Sequence, residues 1–211
     1  FDLDGVIVDT AKYHFLAWKA LAKSIGIDFN VQQNEQLKGV SRVRSLEKIL
    51  AWGNKTITDE QFTSLMQKKN EEYLSYIAQM GESEVLPGVP RVINSLIKSK
   101  QGIALGSASK NARPILKKVS LLEVFDAIVD GNDVTKAKPD PEVFLKGAKA
   151  LEIKPEHCIV FEDSVAGIQA ANKANMISIG IGDKSVLHEA DYIFKDFTEL
   201  SQEFLDTLIK R

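Results

Sequence analysis

The sequence predicts an α/β fold in which a doubly wound parallel sheet carries an inserted all-helical cap domain. Beyond residue 87, short runs rich in isoleucine and valine alternate with amphipathic stretches, which is typical of a parallel sheet covered by helices. Between about residues 12 and 84, apolar residues recur only at helical spacing. A chain of 211 residues that is 44% hydrophobic can bury one good core and form a second, smaller domain.

The inserted segment is predicted to contain at least three helices. The first begins after residue 10 and ends at Gly26, a typical C-terminal stop. The second follows Ser41, and the third follows Thr58, whose side chain can form a capping box with Gln61. We therefore predict a helical cap over residues 12–84 and an α/β core made of residues 1–11 and 85–211.

The α/β core is predicted to alternate strands and helices along the chain. The predicted strands are Phe1–Leu3, 102–106, 126–129, 157–161 and 176–181. The predicted helices are 89–99, 111–119, 141–151 and 164–174, with a last one near 198–209. The first strand is thus separated from the others by the helical insertion.

Polar side chains follow four of the predicted strands, at the point where each strand ends. In open α/β sheets, ligands bind beyond the carboxyl ends of the strands, so these side chains are candidate site residues. They are Asp2 and Asp4 at the first strand, Ser107 after the second, Lys138 in the loop after the third, and Glu162 and Asp163 after the fourth.

The pair Asp2 and Asp4 is the strongest chemical signal in the sequence. Residues two apart on an extended backbone point to the same side, so one carboxylate can attack a substrate while the other transfers a proton. The following Gly5 allows a tight turn. Taken alone, this pattern also fits an acidic turn or part of a calcium loop, but the apolar residues 6–8 that follow argue against calcium.

The ordered set of strand-end residues resembles the haloacid dehalogenase superfamily of phosphoryl-transfer enzymes over essentially the whole chain. The resemblance implies that Asp2 is a nucleophile that forms an aspartyl phosphate and that Asp4 is the general acid and base. It also implies that Ser107 and Lys138 stabilise the transferred group. Mg²⁺ is the implied cofactor, with ligands from Asp2, Asp163 and the carbonyl of Asp4, and with Glu162 nearby. Without the resemblance, Ser107 is a strand cap, Lys138 a solvated charge and Glu162 with Asp163 an acidic helix start.

Three longer stretches, residues 9–21, 37–42 and 107–111, resemble the bacterial β-phosphoglucomutase family within that superfamily. The resemblance implies that Arg42 grips the distal phosphate with the 109–111 loop, while Lys69 and His14 help to position the sugar and Asp4. Without the resemblance, Arg42, Lys69 and His14 are interpreted as ordinary polar residues on solvated helix faces. The implied substrate-binding residues are His14, Lys38, Arg42, Lys69, Ser109, Lys110 and Asn111.

The reaction that this resemblance implies is the interconversion of β-D-glucose 1-phosphate and β-D-glucose 6-phosphate through β-glucose 1,6-bisphosphate. The alternatives are a sugar-phosphate phosphatase on the same framework and a catalytically silent phosphosugar-binding regulator, which the intact Asp2, Asp4, Lys138 and Asp163 argue against. A dinucleotide-dependent oxidoreductase is disfavoured because no G-x-G-x-x-G follows the first strand.

Composition bounds the partners of this chain. A formal net charge of -2 provides no basic field for nucleic acid, and no apolar run approaches the roughly 20 residues that span a bilayer. The single cysteine, Cys158, cannot form an internal disulfide and fits a reducing cytoplasm. We expect a cytoplasmic monomer whose partner is a small sugar phosphate.

Overall fold

The computed structural model describes residues 1–37 and 40–209. The chain divides into two compact units, one made of Phe1–Asp9 with Gly81–Arg211 and the other of Thr10–Met80. None of the helices among the described residues combines the length and the apolar character needed to cross a bilayer.

The helical unit is built on one apolar core. Trp18, Leu21, Leu46 and Ile49 are among the side chains buried in this core. Thr58 begins the longest helix with the expected capping box, since its hydroxyl accepts from the backbone N–H of Gln61 and the Gln61 side chain accepts in return. The helices are α1 (Ala11–Ser24), α2 (Val31–Glu35), α3 (Arg42–Trp52) and α4 (Asp59–Ile77).

The other unit has parallel strands covered by helices, which is the predicted fold class. Strand β1 pairs in parallel with β2, and β3, β4 and β5 pair in parallel in that order. The strands are β1 (Ala104–Gly106), β2 (Ala127–Val129), β3 (Ile159–Glu162), β4 (Ile177–Ile181) and β5 (Tyr192–Phe194). The helices are α5 (Val89–Lys98), α6 (Ala112–Lys118), α7 (Glu142–Ala150), α8 (Val165–Lys173) and α9 (Gln202–Ile209).

The Phe1–Leu3 segment joins the two groups of strands. The main-chain nitrogen of Phe1 donates to the carbonyl of Ala104 at 2.8 Å, and the Phe1 carbonyl accepts from Gly106 at 2.8 Å. On the other side, the N–H of Asp2 donates to the carbonyl of Phe161 at 2.9 Å. The segment therefore lies between β1 and β3, and the side chains that follow the strands meet at one edge.

Short elements account for the differences from the predicted elements. The predicted strands omit β5, and the predicted cap helices omit α2, because three or five residues are too few to show a period. The last helix begins at Gln202 rather than near 198, because Asp196 holds residue 198 in a turn by accepting from the N–H and the hydroxyl of Thr198. These differences leave the strand ends that carry the candidate residues unchanged.

Candidate active site

A buried ion cluster lies where the Phe1–Leu3 segment and β3 end. The ammonium of Lys138 lies 2.7 Å from Asp2 Oδ1 and 2.8 Å from Glu162 Oε2. All three side chains are buried, with at most 9% of any of them exposed. Removing charges from water is costly unless they are paired, so this cluster requires all of its members.

The charges in this cluster perturb one another strongly. Burial is the largest cause that raises the pKa of the Asp2 carboxyl to about 7; the Lys138 charge opposes this rise, and the Glu162 and Asp4 charges add to it. Burial also lowers the pKa of Lys138, but the two carboxylates outweigh it and leave that pKa above its ordinary value. Lys138 is therefore a fixed positive charge beside Asp2.

The start of α8 holds Glu162 in place. Its Oε1 accepts from the backbone N–H of Ser164 at 3.0 Å and from the Ser164 hydroxyl at 2.8 Å. The same hydroxyl caps α8 by accepting from the N–H of Gly167. A Cβ on Gly167 would lie 1.9 Å from the carboxyl carbon of Glu162, so only glycine leaves room for that carboxylate. Neither Ser164 nor Gly167 was predicted as a site residue, although a serine at the predicted start of a helix indicates an N-cap.

Asp4 lies in the turn that follows the Phe1–Leu3 segment. Gly5 has a φ of 80°, a conformation that favours glycine, and its N–H donates to the carbonyl of Val8. A Cβ on Gly5 would lie 2.1 Å from Asp163 Oδ2, so the Asp163 carboxylate packs directly on this turn. Asp4 is half-buried and close enough for its charge to raise the pKa of Asp2.

Three carboxylates converge on a position that suits a cation. Asp2, Glu162 and Asp163 each offer one oxygen, and the three oxygens lie within 4.8 Å of one another. An all-oxygen set of carboxylates has the chemistry that hard cations such as Mg²⁺ prefer. The side chain of Asp4 is not one of the three, and its predicted contribution is through the main-chain carbonyl.

The loop after β1 carries four of the predicted site residues. Ser107 is buried and follows the strand that pairs with the Phe1–Leu3 segment. Its Oγ accepts from the N–H of Ser109 at 3.1 Å, and Ser109 Oγ accepts from the N–H of Asn111 at 3.2 Å. The loop is thus a chain of small turns that leaves Lys110 exposed to solvent.

In the helical unit, His14 lies beside the buried Lys69 and close enough to Arg42 for the charge of that guanidinium to act on the imidazole ring. Lys69 is 2% exposed; its ammonium lies 2.8 Å from His14 Nδ1 and over the rings of Trp18 and Tyr73, at 4.8 and 4.6 Å. Because an ammonium can only donate, His14 Nδ1 accepts, which places the ring proton on Nε2. Burial and the charges of Lys69 and Arg42 hold the pKa of His14 well below its usual value, so the ring is neutral. Lys38, the seventh predicted substrate-binding residue, lies outside the described residues.

Comparisons with known proteins define the class. Residues 1–175 match the haloacid dehalogenase-like hydrolase family, and the chain belongs to that family. It is 41% identical over 207 residues to beta-phosphoglucomutase of Bacillus subtilis (strain 168), covering 97% of this chain and 92% of the relative. It is 30% identical over 181 residues to fructose-1-phosphate phosphatase YqaB of Escherichia coli (strain K12), covering 86% of this chain and 94% of the relative.

Among solved structures, the fold is similar to the crystal structure of beta-phosphoglucomutase from Clostridium difficile. The TM-score is 0.95 at 40% sequence identity, and the similarity covers 100% of this chain and 95% of that chain. The predicted superfamily and fold class are therefore confirmed.

Proposed function

We propose that this protein is a mutase that interconverts β-D-glucose 1-phosphate and β-D-glucose 6-phosphate through β-glucose 1,6-bisphosphate. The observation that carries the proposal is the presence of two clusters of charged and polar side chains, one of them fully buried, in one chain that is 41% identical to a beta-phosphoglucomutase. One cluster joins Asp2, Lys138 and Glu162, and the other joins His14, Arg42 and Lys69. A mutase must hold a bisphosphate in two orientations, which requires a second anion site in addition to the one at the nucleophile.

In the first half-reaction, the Asp2 carboxylate attacks the phosphorus of the bisphosphate. The P–O bond to the sugar breaks, and Asp4 gives its proton to the departing sugar oxygen. Transfer of the C1 phosphate leaves β-D-glucose 6-phosphate, which departs. In the second half-reaction, the C6 hydroxyl of an incoming β-D-glucose 1-phosphate loses its proton to Asp4 and attacks the aspartyl phosphate. The bisphosphate forms again, and Asp2 returns to its starting state.

The remaining residues of the α/β unit stabilise charge. Lys138 is held as a cation beside Asp2, where it meets the negative charge of the transferred group. Ser107 offers a hydroxyl at the neighbouring strand end. Asp2 and Asp163, with the carbonyl of Asp4 and with Glu162 nearby, would hold Mg²⁺, which when bound supplies positive charge against the phosphoryl oxygens.

The cap residues are assigned to substrate binding. Arg42 would grip the distal phosphate, because a guanidinium makes bidentate contacts with phosphate oxygens. Lys69, fixed by His14 and by two aromatic rings, is a preorganised cation that does not lose side-chain entropy when a sugar phosphate binds. We assign Lys38, Ser109, Lys110 and Asn111 to the same task, and we place the protein in the cytoplasm as a monomer.

The second candidate is a sugar-phosphate phosphatase. It is favoured by the 30% identity to a fructose-1-phosphate phosphatase. Water then replaces the sugar hydroxyl in the second half-reaction, and the same Asp2, Asp4 and Lys138 serve both reactions.

An assay with β-glucose 1-phosphate, Mg²⁺ and a trace of β-glucose 1,6-bisphosphate separates the two candidates. The mutase yields glucose 6-phosphate with little free phosphate, whereas the phosphatase releases phosphate and glucose. Under the proposal, Arg42→Ala lowers mutase turnover far more than hydrolysis of a small aryl phosphate. Arg44→Ala is the matched control, since Arg44 is an exposed arginine of the same helix that pairs with Glu47 at 2.7 Å. Equal losses in both variants would contradict the assignment of Arg42.

A further inference from the structure

The loop that follows β2 is bonded to the loop that carries Ser109, Lys110 and Asn111. The backbone N–H of Gly131 donates to the carbonyl of Ser109 at 3.2 Å. The side-chain Nδ2 of Asn132 donates to the carbonyl of Lys110 at 3.0 Å. Two successive carbonyls of the candidate phosphate-binding loop are therefore held by residues with no assigned role.

A buried carboxylate orients Asn132. Asp130 is 2% exposed, and its Oδ1 accepts from the backbone N–H of Asn132 at 2.8 Å and from Asn132 Nδ2 at 2.9 Å. Its other oxygen lies 3.3 Å from Nε of Arg113. Since Nδ2 meets an acceptor on both sides, the amide group of Asn132 has one satisfactory orientation, with its donor directed at the Lys110 carbonyl.

The two carbonyl contacts fix the direction of the peptide groups in the loop. In a trans peptide, the C=O and the following N–H point in opposite directions. Holding the Ser109 carbonyl on the β2 side therefore turns the N–H of Lys110 to the opposite side. Gly131 allows this close approach, because a Cβ there would lie 2.4 Å from the carbonyl oxygen of Ala108 and 3.0 Å from Cγ of Lys110.

We propose that Asn132, oriented by Asp130, is a positioning residue that fixes the Ser109–Asn111 loop for binding the non-transferred phosphate. This inference rests on the proposed function, because it assigns the loop to a bisphosphate. Asn132 acts through Lys110 and its neighbours rather than by contact with the reacting atoms. Ser107 is attached separately, through the donation of its N–H to the carbonyl of Val129, and is expected to be unaffected.

The test compares Asn132→Ala with Asn172→Ala. Asn172 is a matched control in the same unit: it is an exposed asparagine whose Nδ2 donates to the carbonyl of Glu189 at 2.9 Å. We expect Asn132→Ala to raise the KM for β-glucose 1,6-bisphosphate by about 3- to 10-fold, which is the change in affinity that corresponds to the net contribution of one neutral hydrogen bond. The kcat and the hydrolysis of a small aryl phosphate should stay near the parent values, as should the melting temperature of both variants.

Two further variants test the route of the effect. Gly131→Ala places a methyl group against the loop and should raise the same KM without removing any donor. In a Lys110→Ala background, Asn132→Ala should have a smaller effect than in the parent, because part of its action passes through the missing side chain. An unchanged KM in Asn132→Ala would overturn the inference, and so would a loss of kcat on both substrates with an unchanged KM.

Direct binding separates this inference from the proposed function. The affinity of β-glucose 1,6-bisphosphate is measured by calorimetry in an Asp2→Asn background, where no phosphoryl transfer occurs. If the parent released free phosphate and formed no glucose 6-phosphate, the mutase proposal would fail, yet Asn132→Ala should still weaken this binding. If Asn132→Ala and Asn172→Ala bound the bisphosphate equally well, the inference would fail whatever the parent catalyses.

Discussion

Replacing Lys138 by methionine should destabilise the α/β unit strongly when no divalent cation is present. The change removes the ammonium that lies 2.7 Å from Asp2 and 2.8 Å from Glu162, both of which are buried. Removing one partner of a buried ion pair typically costs about 3–5 kcal/mol, because the remaining charge is left without compensation. At about 2–4 °C per kcal/mol for a chain of this size, the melting temperature should fall by about 6–20 °C.

The matched control is Lys146→Met. Lys146 also pairs with a glutamate, at 2.6 Å from Glu142, but it is 43% exposed, and the loss of such a surface pair costs at most about 1 kcal/mol. Unfolding should be followed by far-ultraviolet circular dichroism with a chelator present, because both tryptophans, Trp18 and Trp52, belong to the helical unit. If Lys138→Met melted within a degree or two of Lys146→Met, the buried ion cluster would not exist as described.

Magnesium adds a second arm to this experiment. A ligand that binds only the folded protein stabilises it by about 2.7 kcal/mol at a hundred times its Kd. Without Lys138, the carboxylates of Asp2, Glu162 and Asp163 have no competing ammonium, so Mg²⁺ should restore part of the lost melting temperature. The same addition should raise the melting temperature of the parent by less. An equal rise in both proteins would show that Lys138 and the cation do not share these oxygens.

Two further predictions concern the packing of Glu162 and the charge of His14. Gly167→Ala should displace the Glu162 carboxylate, because the new Cβ would lie 1.9 Å from its carboxyl carbon, and should lower turnover at least about tenfold with the fold retained. The control is Gly147→Ala, whose Cβ would meet only the methyl group of Ala104 at 3.6 Å. It should be active and at least as stable as the parent. The pKa of His14 is lowered by burial and by the charges of Lys69 and Arg42. Below pH 6.5, the unfolded chain therefore binds a proton at His14 that the folded chain does not bind. Its contribution to stability is complete above pH 6.5 and should fall by up to about 1.4 kcal/mol per pH unit below it. His14→Gln should reduce the dependence of the free energy of unfolding on pH below 6.5, measured by urea titration at several pH values. If the parent and His14→Gln showed the same pH dependence, the neutral state of the His14 ring would be contradicted.

The strand-end residues could be predicted because topology alone brings them together. The carboxyl ends of parallel strands meet at one edge, so Asp2, Lys138 and Glu162 were expected near one another although up to 160 positions separate them in the chain. The sequence does not specify how they meet. That Lys138 bridges both carboxylates, and that Ser164 orients Glu162, depends on side-chain directions that no periodicity encodes.

The helical unit shows where reasoning from the sequence reaches its limit. Its helices α1, α3 and α4 could be predicted from apolar spacing, but Lys69 and His14 are 55 positions apart, and each by itself is an ordinary polar residue on a helix. The structure buries Lys69 against two aromatic rings, an environment that depends on the packing of α1 on α4. Asn132 was likewise not predicted, because its role depends on the hydrogen bond from its side-chain amide to the carbonyl of Lys110 in another loop.

The most direct test of this account is whether Asp2 carries the phosphoryl group during turnover. The enzyme, with Mg²⁺ and β-glucose 1,6-bisphosphate, should be quenched in acid within a single turnover and its peptides analysed by mass spectrometry. One acid-stable, hydroxylamine-sensitive phosphoryl group is expected on the peptide that contains Asp2, and none in Asp2→Asn. A phosphoryl group on any other residue, or turnover of Asp2→Asn at the parent rate, would contradict it.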